Sequence, residues 1–209
     1  MATVHDREPV VAERYRGLAR SYDVVSAMAD PFRRRAVELL AVGHGDVVVD
    51  VGCGTGLCFG AIEGRIGPAG ALIGIDASPE MLDGARERVE RAGWDNVTLI
   101  ESFAEEAEIP LEADAALLCL VHDILQSDEA LKNLCYRVVP GGRVAVLGAK
   151  WASPYLVMSN VMTWALHRPY VASFEGFDRP WRLLEQHAAE LHVEPILLGT
   201  AFLAWGSIP

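Results

Sequence analysis

Apolar runs alternating with helix-period segments predict a doubly wound α/β fold. The expected sheet has seven strands, mostly parallel with a C-terminal antiparallel hairpin, and helices on both faces. Three observations carry this. Five runs (47–51, 71–75, 97–100, 115–120 and 144–147) are apolar without alternation, Asp50 and Thr98 excepted, as strands covered on both faces must be. The segments between them open on helix caps. A glycine-rich turn joins the first run to the first intervening helix.

The elements follow in order. Residues 9–42 read as helical with a break at Asp30-Pro31. Within them Arg33-Arg34-Arg35 reads as a solvated face, with a handle for an acidic acceptor as the alternative. Residues 43–150 form the core unit. Ser78-Pro79 supplies an N-cap and a proline at N1, Leu82, Ala85, Val89 and Ala92 make one stripe, and Gly93 stops it. Ser127-Asp128-Glu129 opens a further helix with Leu131, Leu134, Cys135 and Val138 inward, ended by Pro140-Gly141-Gly142. Residues 151–180 are an insertion. Residues 181–209 close the unit: a helix over 180–191, then runs at 196–198 and 201–205 that Gly199-Thr200 turns into a hairpin.

Composition narrows the function classes. The 209 residues fit one domain, with 51% apolar content enough for a sizeable core. Acidic side chains outnumber basic ones, 29 to 18, for a net charge of −11 that repels phosphate backbones. Nucleic acid is therefore not an expected partner. The uncharged stretch 151–166 is broken by Ser153, Pro154, Ser159, Asn160 and Thr163, so no stable membrane insertion is expected. Without an N-terminal apolar core of a signal peptide, the expected location is cytoplasmic. Cys53, Cys58, Cys119 and Cys135 have no CxxC pairing, which predicts reduced thiols and no metal site.

The segment Val-Val-Val-Asp50-Val-Gly52-Cys53-Gly54-Thr-Gly56 delivers a strand into a glycine turn. Glycines serve where a ligand approaches closer than a Cβ allows. They stand at places 1, 3 and 5, and the sixth holds Leu57, which disfavours a nicotinamide-dependent oxidoreductase. Asp76 ends the second strand, where a carboxylate can accept both hydroxyls of a ribose.

From Asp50 to Gly142 the sequence resembles the class I S-adenosylmethionine-dependent methyltransferases of small molecules. The resemblance implies S-adenosyl-L-methionine as cofactor and S-adenosyl-L-homocysteine as product. Gly52, Cys53, Gly54 and Gly56 would lie under the methionyl and ribose parts, Asp50 would orient the amino-acid end through water, and Asp76 would hold the ribose. Ala77 and Met81 would flank adenine, with ordinary helix packing as the other reading of Met81. Relatives often carry an acidic residue after the third strand, and here that place falls on Phe103. Stacking on Phe103 with the Ala104 N–H, or substitution by Ser102 or Glu105, are the alternatives. Cys119, near the end of the fourth strand, would border the same pocket.

His122-Asp123 follows that strand, next to the expected methyl group. An imidazole can serve as a base near neutrality. The segment is similar to the His-Asp-Trp-Ser-Asp-Glu stretch of small-molecule O-methyltransferases, although the tryptophan is missing. His122 is therefore the candidate catalytic base, a helix cap or pocket wall being the bland alternative. The other histidines are scattered: His167 could face the acceptor, while His187 and His192 read as surface residues.

Trp151, Tyr155, Met158 and Met162 mark the insertion as an acceptor lid for a small apolar or aromatic molecule, or as a helix whose stripe is core. A homodimer interface through the same apolar face is a third reading. Glu13 to Asp23 resembles the helical lid of quinone-ring and phospholipid methyltransferases, which would bring Tyr15 to the acceptor and Tyr22 over the cofactor. The expected reaction is O-methylation. C- or N-methylation of a quinone-like ring or amine head group by positioning alone is the alternative, and a non-catalytic cofactor-binding protein is the reading from another class.

Overall fold

The computed structural model describes residues 27–209, so Tyr15 and Tyr22 lie outside the described residues. Seven strands form one sheet in the order β3-β2-β1-β4-β5-β7-β6. They are β1 (Val47–Val51), β2 (Ala71–Asp76), β3 (Val97–Glu101), β4 (Ala113–Cys119), β5 (Val138–Ala149), β6 (Ala189–Ile196) and β7 (Ala201–Ser207). The first five pair in parallel, and β7 runs antiparallel between β5 and β6. The sequence order reverses between β1 and β4, which opens a crevice at their C-terminal ends.

The helices are α1 (Asp30–Leu39), α2 (Phe59–Ile66), α3 (Pro79–Ala92), α4 (His122–Leu125), α5 (Asp128–Arg137) and α6 (Val157–His167). One face of the sheet is covered by α1, α2 and α3 through Val37, Leu40, Phe59, Ile62, Leu82 and Ala85. The other packs Leu125, Leu131 and Leu134 of α4 and α5 against Val49, Ile73, Leu118 and Val146. The caps are as expected: the Ser78 hydroxyl accepts from the Met81 N–H, the Ser127 hydroxyl accepts from the Ala130 N–H, and Gly93 ends α3 in the left-handed region.

Four expectations are corrected. The helix over 180–191 does not form: only a 3-10 turn at Leu184–Gln186 is helical, and the chain is extended from Ala189. Along β6 half-buried and exposed residues alternate, the pattern of an outer strand with one face on the sheet, and the pairing with β7 overrides the helical stripe. Residues 197–198 accordingly lie in a turn rather than a strand. The Pro140-Gly141-Gly142 segment does not stop before the fifth strand but lies within it, held by the Gly141 N–H to the Ile208 carbonyl at 2.8 Å. Finally, Arg33 is buried at 3% exposure while Arg34 and Arg35 are exposed. Arg33, Ala36, Val37 and Leu40 follow the i, i+3, i+4, i+7 spacing that turns one helix face inward. Pro31 stands in the first turn of α1, at the predicted break.

Candidate functional site

The turn after β1 is pinned to β2 at both ends. The Gly52 and Cys53 N–H groups donate to the Ile75 carbonyl at 2.8 and 2.9 Å. The Gly54 N–H donates to Asp76 Oδ2 at 2.8 Å, and the Ser78 N–H to Asp76 Oδ1 at 2.9 Å. A carboxylate has about four lone-pair directions, so two backbone bonds leave capacity for ligand hydroxyls. Gly52 has φ +69 and Gly54 +57, a region costly for any residue with a Cβ. A Cβ on Gly52 would run into the Val121 side chain, whereas one on Gly54 would meet nothing within 4 Å. Gly54 therefore faces open space, and within the protein only its positive φ calls for a glycine. Gly56 rests on the Phe59 ring. Burial pushes the Cys53 thiol well above its ordinary value, with Asp76 and Asp50 adding to the shift, so it packs as a neutral group.

Asp50, the fourth residue of β1, is 1% exposed and neither carboxylate oxygen has a hydrogen-bond partner. Burial raises its carboxyl to about 7, the Asp76 charge raises it further, and the Arg33 guanidinium opposes both. Such a group lacks hydrogen-bond donors. Asp76 is also raised by burial, against which the Ser78, Gly54 and Ala77 amides pull it down.

The end of β3 is joined to the same place by the Ser102 N–H to the Asp76 carbonyl at 3.1 Å. That bond brings Ser102, Phe103 and Ala104 beside Asp76 and Ala77. Phe103 is half-buried and Ala104 buried, while the Ala104 carbonyl is held by Asn133 at 2.9 Å. Met81 is 2% exposed, so it serves the packing of α3 at least as much as any ligand. Cys119 is half-buried, and its nearness together with burial pushes the Cys58 thiol well above its ordinary value.

Leu120, with φ +61, turns the chain sharply out of β4 into α4. His122 is 8% exposed, and its Nε2 lies 2.9 Å from the Glu175 carbonyl oxygen. A carbonyl can only accept, so Nε2 carries the proton and Nδ1 the lone pair. Nδ1 is buried without a partner. Burial lowers the imidazole below its ordinary value and His167 adds to that, while the Glu175 carbonyl and Asp123 oppose it. The side chain is thus a neutral imidazole near pH 7.

Three α4-region side chains grip one loop. Besides His122, the Asp123 carboxylate accepts from the Ala172 N–H at 3.2 Å, and Gln126 donates to the Pro180 carbonyl at 3.0 Å. The loop in turn carries an aromatic wall. Phe177 lies 4.5 Å from the His122 ring, 5.1 Å from Trp151 and 4.9 Å from Phe174, and Trp151 stacks on Phe174 at 5.3 Å. Sequence reading missed Phe174, Phe177 and Gln126, because nothing in a local pattern links residues about fifty positions apart.

Beside this wall, a groove of about 820 Å³ is lined by Trp151, Pro154, Val157, Val161, Trp164 and Asp178 among others. Trp151 therefore borders both features. Tyr155, Met158 and Met162 do not line the groove; they stand 94%, 75% and 55% exposed on and beside α6. The stripe expected to be either core or pocket faces outward. His167 caps its own helix through Thr163 at 2.9 Å and lies 6.1 Å from Phe177. His187 is paired with Asp128 at 2.8 Å, and His192 packs 5.5 Å from Trp205. Among the described residues no group of three potential metal ligands occurs, and no helix is long and apolar enough to cross a membrane.

Residues 48–142 match the family model of a methyltransferase domain. Over 145 residues the chain is 28% identical to a ubiquinone/menaquinone biosynthesis C-methyltransferase of Pseudomonas entomophila (strain L48), covering 66% of this chain and 57% of that protein. It is 32% identical over 120 residues to an arsenite methyltransferase of Halobacterium salinarum, covering 55% of this chain and 30% of that one. The chain thus spans little more than half the length of the first of these relatives, and less of the second. Among solved structures, an O-methyltransferase family protein from Burkholderia thailandensis superposes with a TM-score of 0.71 at 20% identity, over 97% of this chain and 62% of that one. The N-methyltransferase NodS from Bradyrhizobium japonicum WM9, in complex with S-adenosyl-L-homocysteine, superposes with a TM-score of 0.62 at 16% identity, over 86% of each chain. At such identities the superpositions establish a shared fold.

Proposed function

We propose that this chain is a class I S-adenosylmethionine-dependent methyltransferase and that it methylates a small, largely apolar acceptor seated beside the Trp151–Phe174–Phe177 wall. The observation that carries the acceptor class is the groove of about 820 Å³ next to that wall, at the C-terminal end of β5. A concave, mostly apolar surface with few polar groups suits a flat or greasy molecule.

The residues present fit the cofactor. Asp50 has two buried oxygens without partners, Gly54 leaves open space above the turn, and Asp76 keeps lone pairs beyond its backbone bonds. Gly52, Cys53, Gly54 and Gly56 would lie under its methionyl and ribose parts, with Asp50 at the amino-acid end and Asp76 at the ribose. Ala77, Met81, Ser102, Phe103 and Ala104 would surround adenine, and Cys119 would border the pocket. When bound, S-adenosyl-L-methionine supplies an electrophilic methyl group on a sulfonium. The chain's own task is to exclude water, hold the acceptor in line and remove a proton where the acceptor has one to lose.

O-methylation is the first reading, and the His122 imidazole supports it: neutral, with its proton on Nε2 and the Nδ1 lone pair unshared. Nδ1 would take the hydroxyl proton as the new O–C bond forms. The similarity to a C-methyltransferase supports the second reading, in which an electron-rich ring carbon is methylated by positioning. A labelled-methyl assay over phenolic, ring-carbon and amine acceptors separates the two. Label in ether products that is lost in His122→Ala supports O-methylation. Label confined to ring carbons, and retained in that variant, overturns it.

A further inference from the structure

Two charged side chains line the groove beside the aromatic wall, Lys150 and Asp178. They are held differently. Asp178 is exposed, on the loop that carries Phe174 and Phe177. Lys150 is half-buried, one residue past the end of β5. Its Nζ donates to the Trp151 carbonyl at 2.6 Å and to the Gly199 carbonyl, in the turn between β6 and β7, at 3.2 Å. The Lys150 N–H donates to the Thr200 carbonyl of the same turn at 2.9 Å. A side chain that is ordinarily flexible is thereby fixed from two segments of the chain.

Both partners of the ammonium are neutral carbonyls, and Asp178 is not one of them. An ammonium has three donors, so one is left over. A half-buried cation held only by neutral groups gains from meeting an anion, and a charge-assisted bond is the stronger kind. The surrounding segment does not oppose this. Although the chain carries a net charge of −11, residues 151–167 contain no Asp or Glu. We propose that Lys150 binds a carboxylate on the acceptor, and so selects aromatic acids over neutral molecules of the same shape. The flat body of the acid would lie along the apolar side of the groove, where Trp151, Val157, Val161 and Trp164 stand. This rests on the groove being the acceptor site, as proposed above.

A flat phenolic acid and its amide test it: 6-hydroxy-2-naphthoate and 6-hydroxy-2-naphthamide, titrated calorimetrically into the full chain. Lys150→Gln should weaken the acid by about tenfold and leave the amide within about twofold. Lys150→Arg, which keeps the cation, should keep most of the acid's affinity. A purely structural hold on the Gly199 turn would move both ligands together. If Lys150→Gln does not fold, wild type alone carries the test: raising NaCl from about 0.05 to about 0.5 M should weaken the acid several-fold and spare the amide. An equal response of acid and amide, to the substitution or to salt, overturns the proposal and leaves the groove as the acceptor site. Val157→Ser with Val161→Ser, on the apolar side of the groove, should weaken both ligands alike. Failure of wild type to bind either ligand, or binding that this double variant leaves unmoved, overturns the groove as the acceptor site and the proposal with it.

Discussion

His122 and Glu175 are joined across 53 positions of sequence by a 2.9 Å bond from the imidazole Nε2 to a main-chain carbonyl. The bond fixes the tautomer and also ties the loop bearing Phe174 and Phe177 to the end of β4. His122→Ala is expected to cost about 1 kcal/mol of stability and to loosen that loop. Gln can place an amide N–H near the position of Nε2, so His122→Gln should restore protection of the 172–180 amides in hydrogen exchange. If Nδ1 is the base, methyl transfer to a phenol stays lost in His122→Gln even where the loop is restored.

Asp50 should make stability and cofactor affinity depend on pH in opposite senses. Its carboxyl stands at about 7 in the folded chain against an ordinary 3.8. The unfolded chain therefore gives up this proton at lower pH than the folded one. The contribution is fully present below about 4 and is lost as pH rises through 7. Wild type should lose ground against Asp50→Asn over that window, by a few kcal/mol at most. A ligand ammonium favours the ionised carboxyl, so S-adenosyl-L-homocysteine should bind wild type more tightly as pH rises through 7. Thermal melts and titrations of both proteins from pH 5 to 8.5 check both signs.

Gly52 and Gly54 should fail in different ways when given a Cβ. Gly52→Ala collides with Val121 in addition to its backbone strain and should cost about 2–4 kcal/mol in thermal unfolding. Gly54→Ala meets no protein atom, so its cost should be limited to about 1–2 kcal/mol of strain. It should still lose most binding of S-adenosyl-L-homocysteine by calorimetry, because the methyl group would occupy the open side of the turn proposed for the ligand.

The outward face of α6 should tolerate polar residues. Met158→Ser with Met162→Ser is expected to change stability by no more than about 0.5 kcal/mol each in denaturant titration, since both side chains are exposed. A loss of several kcal/mol would mean that the stripe is covered as a core stripe is.

The parallel half of the sheet was legible because a strand buried on both faces has a composition of its own, as in Val47–Val51 and Ala115–Leu118. The glycine turn was legible because Gly52, Gly54 and Asp76 act within a short span of sequence. Arg33 was not, since three successive arginines look alike until helix geometry turns one of them inward, although its spacing to Ala36, Val37 and Leu40 carried the signal. β6 was misread because Trp181 and Leu184 start a helical stripe that only the pairing with β7 overrules. The His122–Glu175 contact left no local trace, as it depends on where a distant loop returns.

β7 lies between β5 and β6, yet it follows both in the chain. During synthesis β5 emerges with its apolar outer edge unpaired, and β6 arrives with nothing to bind until Ala201–Ser207 follows. Each nascent molecule thus passes through an interval in which Val144, Val146 and Leu147 border an open edge, the condition that invites strand pairing with a neighbouring chain. Growth temperature and expression rate should therefore govern the soluble yield of this protein more strongly than the stability of its finished fold would suggest.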